Sequence, residues 1–301
     1  MPLPAVSLAA VPGRRRATLE LAAEIERRGF AGIYCPSLGD AMALCEGLAL
    51  VTREIPFGTS IAPIYARRPL DYAQTAAFIH ELSGGRFRFG IGVSHGATHA
   101  RLGVHVGKPL ADIRAFVEAY RGAERTGDKP PLVLATLRRR MIGLAAEIAD
   151  GMVFANGARS HMAHSLAALP AAARANPDFF IANMIPTCIA EDEAAAAAVN
   201  RRTLTHYVQL PNYRNYWKEA GYVAEMDAVE AAIAAGETAR IPTLMSDAWL
   251  ADTTLFGSVA KVREGFEAWR EAGIKTPILV PSSTAGNQLT AFEELFRAFA
   301  D

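Results

Sequence analysis

The chain has 301 residues, of which 51% are hydrophobic, so it can bury a large core. Its 31 Lys and Arg residues balance its 31 Asp and Glu residues, and this zero net charge argues against a nucleic-acid-binding protein, which normally carries a basic excess. Three cysteines without zinc or disulfide spacing, and no apolar run of about 18 residues that could cross a membrane, predict a cytoplasmic protein with no membrane partner.

Apolar segments alternate with helical patterns along the whole chain. Eight of them are predicted strands, at residues 4–11, 31–36, 55–62, 86–93, 131–136, 151–156, 179–187 and 276–282. This alternation favours a (β/α)8 TIM barrel over a doubly wound sheet, as one domain over residues 1–301. The stretch between strands seven and eight is too long for one helix. We therefore expect a helical insertion at about residues 205–257, whose Tyr and Trp side chains pack mostly on the barrel rim.

The segment "GIGVSHG" follows the fourth predicted strand, at the end of a barrel where working groups lie. Its spacing is GxGxxxG, which does not support a Rossmann dinucleotide site. Gly90 and Gly92 could let the strand bend. We favour the alternative, in which they let a flat ligand lie against the strand while Ser94 and His95 reach it. His95 and His99 lack further ligands, so no metal site is predicted.

The segment "ATLRRRM" leads from the fifth predicted strand into a helix. The first turn of a helix offers unpaired backbone N–H groups and partial positive charge, which suit a phosphate. Arg138, Arg139 and Arg140 would reinforce such a site. The alternative, a solvated basic turn, stays open.

Three segments together resemble the bacterial luciferase-like family of flavin- and deazaflavin-dependent oxidoreductases, in particular its F420-dependent methylenetetrahydromethanopterin-reductase-like members. They are "FGTSIAPIYARRPLDYAQTAAFIHELSGGRFRFGIGVSHG", "LVLATLRRRMIGLAAEIADGMVFANG" and "TLFGSVAKVREGFEAWREAGIKTPILVP", in the order in which the family has them. The resemblance implies a barrel enzyme that carries out hydride transfer or monooxygenation of a small organic substrate. It implies coenzyme F420 or FMN as the cofactor, and of these we favour F420.

The resemblance also implies where the cofactor ring lies. Many relatives have a non-prolyl cis peptide bond behind the ring, and in this chain that bond is expected between Ser60 and Ile61. Gly92, Val93 and Ser94 are expected to contact the ring edge or the cofactor's tail. Relatives commonly pair through barrel helices, so a homodimer is expected.

Two further roles complete the expected site. Leu137, Arg138, Arg139 and Arg140 are expected to donate backbone N–H groups to the cofactor phosphate, although this turn often reads Gly-Pro-Arg in the family. His95 is the candidate catalytic residue, because an imidazole near the reacting centre can move a proton at neutral pH. Two other functions stay open: a barrel that binds a flavin without turnover, and a metal-dependent barrel hydrolase.

Overall fold

The computed structural model describes residues 3–299, and its fold is the predicted (β/α)8 TIM barrel. The strands are β1 Ala5–Ser7, β2 Gly32–Cys35, β3 Phe57–Thr59, β4 Ala62–Pro63, β5 Phe87–Gly92, β6 Leu132–Ala135, β7 Gly151–Ala155, β8 Phe180–Ile189, β9 Leu255–Gly257 and β10 Thr276–Ser282. Each of the eight predicted strands is present, and β9 is an additional short strand that the sequence did not reveal.

Except between β3 and β4, where only Ser60 and Ile61 lie, helices separate successive strands. They are α1 Arg15–Arg27, α2 Ala41–Val51, α3 Pro69–Leu82, α4 Gly96–Leu102, α5 Pro109–Arg121, α6 Arg139–Ile148, α7 Met162–Leu166, α8 Ala171–Ala175, α9 Glu193–Val208, α10 Pro211–Glu219, α11 Val223–Ala234, α12 Ile241–Leu244, α13 Asp247–Thr253, α14 Val259–Glu271 and α15 Gln288–Ala298. Among residues 3–299, none of these helices combines the length and the hydropathy that crossing a bilayer requires.

Two compact units make up the chain: residues up to Phe154 with Ala168–Ala182, and Ala155–Ala167 with the residues from Asn183 onward. In the first unit the strand order is β1-β2-β3-β5-β6-β7, and β4 pairs with β5. In the second unit β8 pairs with both β9 and β10. The pairs with a defined register, such as β2 with β3 and β5 with β6, are parallel. Because parallel strands are buried on both faces, they read as continuous apolar runs in the sequence.

The helix starts follow local signals that the sequence carries. The Asp40 carboxylate accepts hydrogen bonds from the backbone N–H groups of Met42 and Ala43 and so caps α2. Pro69 occupies the first turn of α3, where its missing N–H costs no hydrogen bond. Gly29 ends the α1 region with a φ of +78°, a conformation that glycine adopts readily.

Aromatic side chains fill the core of the first unit. The ring of Phe89, on β5, lies 5.3 Å from the rings of both Tyr72 on α3 and Tyr120 on α5. All three side chains are at most 2% exposed. Burying such a side chain stabilises the fold by about 1.5–3 kcal/mol, so this cluster fixes β5 against the helices that flank it.

The predicted insertion holds the end of α9, the helices α10 to α13 and β9. Its aromatic side chains pack, as expected, on the segment that follows β7. The Tyr216 hydroxyl accepts a hydrogen bond from the Ala158 N–H (3.0 Å), and the Trp217 indole N–H donates to the Asn156 carbonyl oxygen (3.2 Å). Trp217 also contacts the Trp249 ring edge-on at 4.9 Å. Buried rings therefore hold this part of the second unit together, and the polar ends of Tyr216 and Trp217 are hydrogen-bonded.

Candidate active site

The predicted site residues all follow the carboxyl ends of β3, β5 and β6, which are neighbours in the sheet of the first unit. Ser60 and Ile61 come directly after β3, and Gly92 is the last residue of β5. Leu137 and the three arginines follow β6. In a TIM barrel this end of the strands carries the chemistry. The fold thus brings the predicted ring contacts and the predicted phosphate turn to one edge.

The third predicted strand is interrupted where the sequence led us to expect an irregularity. The Ser60–Ile61 peptide bond is cis, as predicted, and it divides the strand into β3 and β4. The Ser60 N–H donates to the Cys35 carbonyl oxygen at 2.7 Å, and the Ile64 N–H donates to that of Gly92 at 3.0 Å. The interrupted strand therefore stays bonded to β2 on one side and to β5 on the other.

Gly90 and Gly92 are required by the close approach of neighbouring strands. A Cβ atom at Gly90 would lie 1.9 Å from the Thr59 carbonyl oxygen. At Gly92 it would lie 2.9 Å from Ala135 Cβ and 3.1 Å from Ile61 Cδ1. The approach of the neighbouring strand explains Gly90, and the packing of Ile61 and Ala135 explains Gly92, whereas the flat ligand that the sequence favours stays a prediction. The same contacts place Ile61, Gly92 and Ala135 side by side.

A strap, defined here as residues 93–108, leaves β5 and carries the polar candidates. Ser94 has a φ of +61°, and His95 is the N-cap residue of α4. The sequence predicted a long loop here, and α4 is a short helix within it. Val93, Ser94 and His95 are each partly exposed, so their side chains are accessible to a ligand at the strand ends.

His99 is anchored to the strap's own backbone. Its Nε2 atom lies 2.5 Å from the Val93 carbonyl oxygen, which can only accept a hydrogen bond, so Nε2 carries the proton. This contact ties the imidazole to the predicted ring edge. Within residues 3–299, no three His, Cys, Asp or Glu side chains converge in a way that could hold a metal ion.

The start of α6 is suited to an anion. Arg138 is its N-cap residue, no side chain caps the helix, and its first turn contains no acidic residue. The Thr136 hydroxyl, two residues before the cap, is buried and has no hydrogen-bond partner among the described residues. A buried hydroxyl without a partner is rare unless a water, an ion or a ligand satisfies it. Arg138, Arg139 and Arg140 are exposed, and they add positive charge here.

These features fit a flat cofactor that carries a phosphate group. Ile61 and Val93 offer partly exposed apolar atoms beside β5, and α6 offers N–H groups with the Thr136 hydroxyl. Reasoning from the sequence identified the strand ends and missed Thr136, although a polar residue directly after a buried strand was a usable signal. It also missed Tyr65 and Asp112, whose contact spans 47 residues of sequence.

Comparison with known proteins agrees with this arrangement. Residues 4–276 match the family model described as luciferase-like monooxygenase. A protein of Mycobacterium tuberculosis, named as a candidate coenzyme F420-dependent oxidoreductase, is 25% identical over 88% of this chain and 90% of its own length.

Two solved structures share the fold. The coenzyme F420-dependent tetrahydromethanopterin reductase of Methanopyrus kandleri has a TM-score of 0.76 and 18% identity, covering 97% of this chain and 96% of its own. The oxygenating constituent of 3,6-diketocamphane monooxygenase from Pseudomonas putida, a type II Baeyer–Villiger monooxygenase in complex with FMN, has a TM-score of 0.60 and 14% identity. Its match covers 93% of this chain and 92% of its own.

Proposed function

The chain belongs to the luciferase-like monooxygenase family, and from this premise we propose that it is an oxidoreductase that binds F420 or FMN at the ends of β3, β5 and β6. One observation carries the proposal: Ile61, after the cis peptide bond, packs against Gly92, which in turn packs against Ala135. This contact builds a continuous surface across three strand ends. A flat ring needs such a surface.

Each predicted residue has a role in this proposal. Ser60, Ile61 and Gly92 form the surface against which the ring lies, and Val93 and Ser94 contact its edge. The backbone N–H groups of Leu137, Arg138, Arg139 and Arg140 bind the phosphate, with the Thr136 hydroxyl as a further donor. When bound, the cofactor accepts or donates a hydride. His95 moves a proton beside the reacting centre.

We propose F420 as the cofactor and a small organic molecule as the substrate. The Mycobacterium tuberculosis relative and the Methanopyrus kandleri reductase are both named for F420, whereas the Pseudomonas putida enzyme binds FMN. The three cysteines are free and buried, which supports the reducing cytoplasm as the compartment.

Titration of the purified protein with F420 and with FMN, followed by fluorescence and by thermal unfolding, tests the proposal. A ligand at 100 times its Kd stabilises the folded state by about 2.7 kcal/mol, so we expect the Tm to rise by about 4 °C. Riboflavin, which has the FMN ring without its phosphate, is the matched control and should bind at least tenfold more weakly than FMN. If neither F420 nor FMN binds, the proposal is wrong.

A barrel that binds the cofactor without turnover makes a different prediction. Its reduced cofactor would be reoxidised no faster than free reduced cofactor by oxygen or by a panel of ketone, aldehyde and enone acceptors. We expect at least one acceptor to accelerate reoxidation by about 10²-fold or more. Stoichiometric metal in elemental analysis would instead favour the barrel hydrolase.

We also propose that the protein is a homodimer. Helices α2 and α3 carry large apolar side chains that are strongly exposed: Leu50 (71%), Phe78 (59%), Leu70 (49%) and Leu82 (40%). Leu70, Phe78 and Leu82 are eight and four residues apart and therefore share one face of α3. Such a face marks an interaction surface more often than solvent-exposed helix, and a second copy of this chain is the partner we propose.

A further inference from the structure

Three side chains form contacts that hold both ends of the strap in place. Near its start, His99 donates a hydrogen bond to the Val93 carbonyl oxygen. Near its end, the Gly107 N–H donates to Asp112 Oδ2 at 2.8 Å. Tyr65 links these two contacts. Its hydroxyl donates a hydrogen bond to the same Asp112 oxygen at 2.5 Å, and its ring packs edge-on against the His99 imidazole, with 5.4 Å between the ring centroids.

The strap and the carboxylate approach each other closely at Gly107. A Cβ atom there would lie 2.6 Å from Asp112 Oδ1, so a larger residue would displace the Asp112 side chain from its present position. Asp112 lies in the first turn of α5, where the helix dipole stabilises its negative charge. Burial, together with the neighbouring Asp112 carboxylate, raises the pKa of Tyr65 above its usual value, so its hydroxyl keeps its proton at neutral pH and can donate it to Asp112.

Tyr65 belongs to the segment that follows β4, so the network joins two parts of the proposed site. The Ile64 N–H already bonds the Gly92 carbonyl oxygen next to it. The segment with Ser60 and Ile61 is thereby linked, through Tyr65, to the segment with Ser94 and His95. Contacts held in place before the ligand arrives raise affinity, because less conformational freedom is lost on binding.

From this network we infer that Tyr65, His99 and Asp112 are positioning residues, which fix the strap so that Val93, Ser94 and His95 meet the cofactor. The inference rests on the proposed function, since it concerns the same cofactor site. None of the three residues needs to touch the cofactor. They act through the strap backbone.

Two variants each remove one hydrogen bond of this network. Tyr65→Phe keeps the ring against His99 and removes the donor to Asp112, and His99→Leu removes the donor to Val93. We expect the Kd for F420 or FMN, whichever the wild type binds, to rise about three- to tenfold in each variant. Amide hydrogen exchange should accelerate in residues 93–108, while the Tm stays within about 2 °C of wild type.

Matched variants separate positioning from general destabilisation. His99→Gln restores an N–H donor and should bring the Kd back to within about twofold of wild type. Tyr120→Phe removes a buried hydroxyl that has no hydrogen-bond partner among the described residues, and should leave both Kd and strap exchange unchanged.

The outcomes separate a failure of the positioning role from a failure of the proposed function. If the wild type binds a cofactor and Tyr65→Phe and His99→Leu bind it with the wild-type Kd, the positioning role is refuted and the proposed function stands. Unchanged amide exchange in residues 93–108 of both variants also refutes it. If the wild type binds neither F420 nor FMN, the proposed function itself fails, and the inference fails with it.

Discussion

At Gly90 the space for a side chain is occupied by the protein itself. The Thr59 carbonyl oxygen lies 1.9 Å from where the Cβ atom would stand, so Gly90→Ala must push β3 away from β5. Overpacking of this kind costs about 3 kcal/mol, and we expect the Tm to fall by about 5 °C. Thermal unfolding followed by circular dichroism measures the loss.

Gly143→Ala is the matched control for this substitution. Gly143 lies inside α6, and nothing stands within 4 Å of its Cβ position. Alanine is favoured over glycine in a helix by about 0.5–1 kcal/mol, so this variant should be slightly more stable than wild type. A Gly90→Ala protein as stable as wild type would contradict the close strand approach.

A substitution of His95 tests the catalytic step separately from cofactor binding. In the proposed function it moves a proton, so His95→Ala should lower kcat by about 10²-fold or more while the cofactor Kd changes by less than about threefold. His105→Ala, at an exposed position of the same strap, should leave both quantities unchanged. Equal kcat values for His95→Ala and wild type would remove His95 from the mechanism.

Among the helices and strands, the long regular ones could be predicted from the sequence, whereas the breaks and the short elements could be predicted only in part. The apolar runs and the caps at Asp40 and Pro69 depend on neighbouring residues, which the sequence displays directly. The break at Ser60–Ile61 was found only through resemblance to a family. α4 and β9 were missed because seven and three residues give too little periodicity to separate a helix or strand from a loop.

Glu26, in α1, couples that helix to the entry of β3. Its carboxylate accepts hydrogen bonds from the backbone N–H groups of Arg53, Glu54 and Ile55. Burial raises its pKa, but these three bonds outweigh burial and hold the pKa below its ordinary value of 4.5. The ionised form is thus the stabilising one. Its contribution is present above the unfolded-state pKa and is lost as the pH falls through the folded-state pKa.

Glu26→Gln should therefore show a pH-dependent loss of stability. At pH 7 we expect a decrease of about 1 kcal/mol in the free energy of unfolding, a small value because the carboxylate is only partly buried and solvent screens its charge. The difference from wild type should shrink as the pH falls through the folded-state pKa of Glu26, because the protonated glutamic acid is uncharged like glutamine. Urea unfolding at several pH values measures it. Glu20→Gln, exposed in the same helix, is the control, and a pH-independent difference for Glu26→Gln would contradict this account.

For the molecule as a whole, the order of elements was sufficient to predict the barrel, because each of the eight predicted strands carries its own apolar signal. The single domain over residues 1–301 stays a prediction. Contacts between distant residues could not be predicted, since nothing near Tyr65 in the sequence points to Asp112 and nothing near Ala158 points to Tyr216. Such contacts depend on the assembled fold, which brings residues far apart in the sequence together.

The exposed face of α2 and α3 leads to a prediction about assembly. If two copies pair through it, wild-type protein should elute with twice the 32.3 kDa mass of one chain in size-exclusion chromatography with light scattering. Phe78→Lys combined with Leu50→Lys places two charges in the contact, and desolvating them costs more than the apolar contact gains. That variant should have the mass of one chain.

The control for this experiment is Val223→Lys, at an apolar position of α11 that is 48% exposed and lies outside the α2 and α3 face. It adds the same kind of charge and should leave the dimer intact. Thermal unfolding of all three proteins shows whether the lysine variants remain folded. A wild type with the mass of one chain, or a Phe78→Lys, Leu50→Lys protein that remains dimeric, would mean that α2 and α3 do not form the contact between copies.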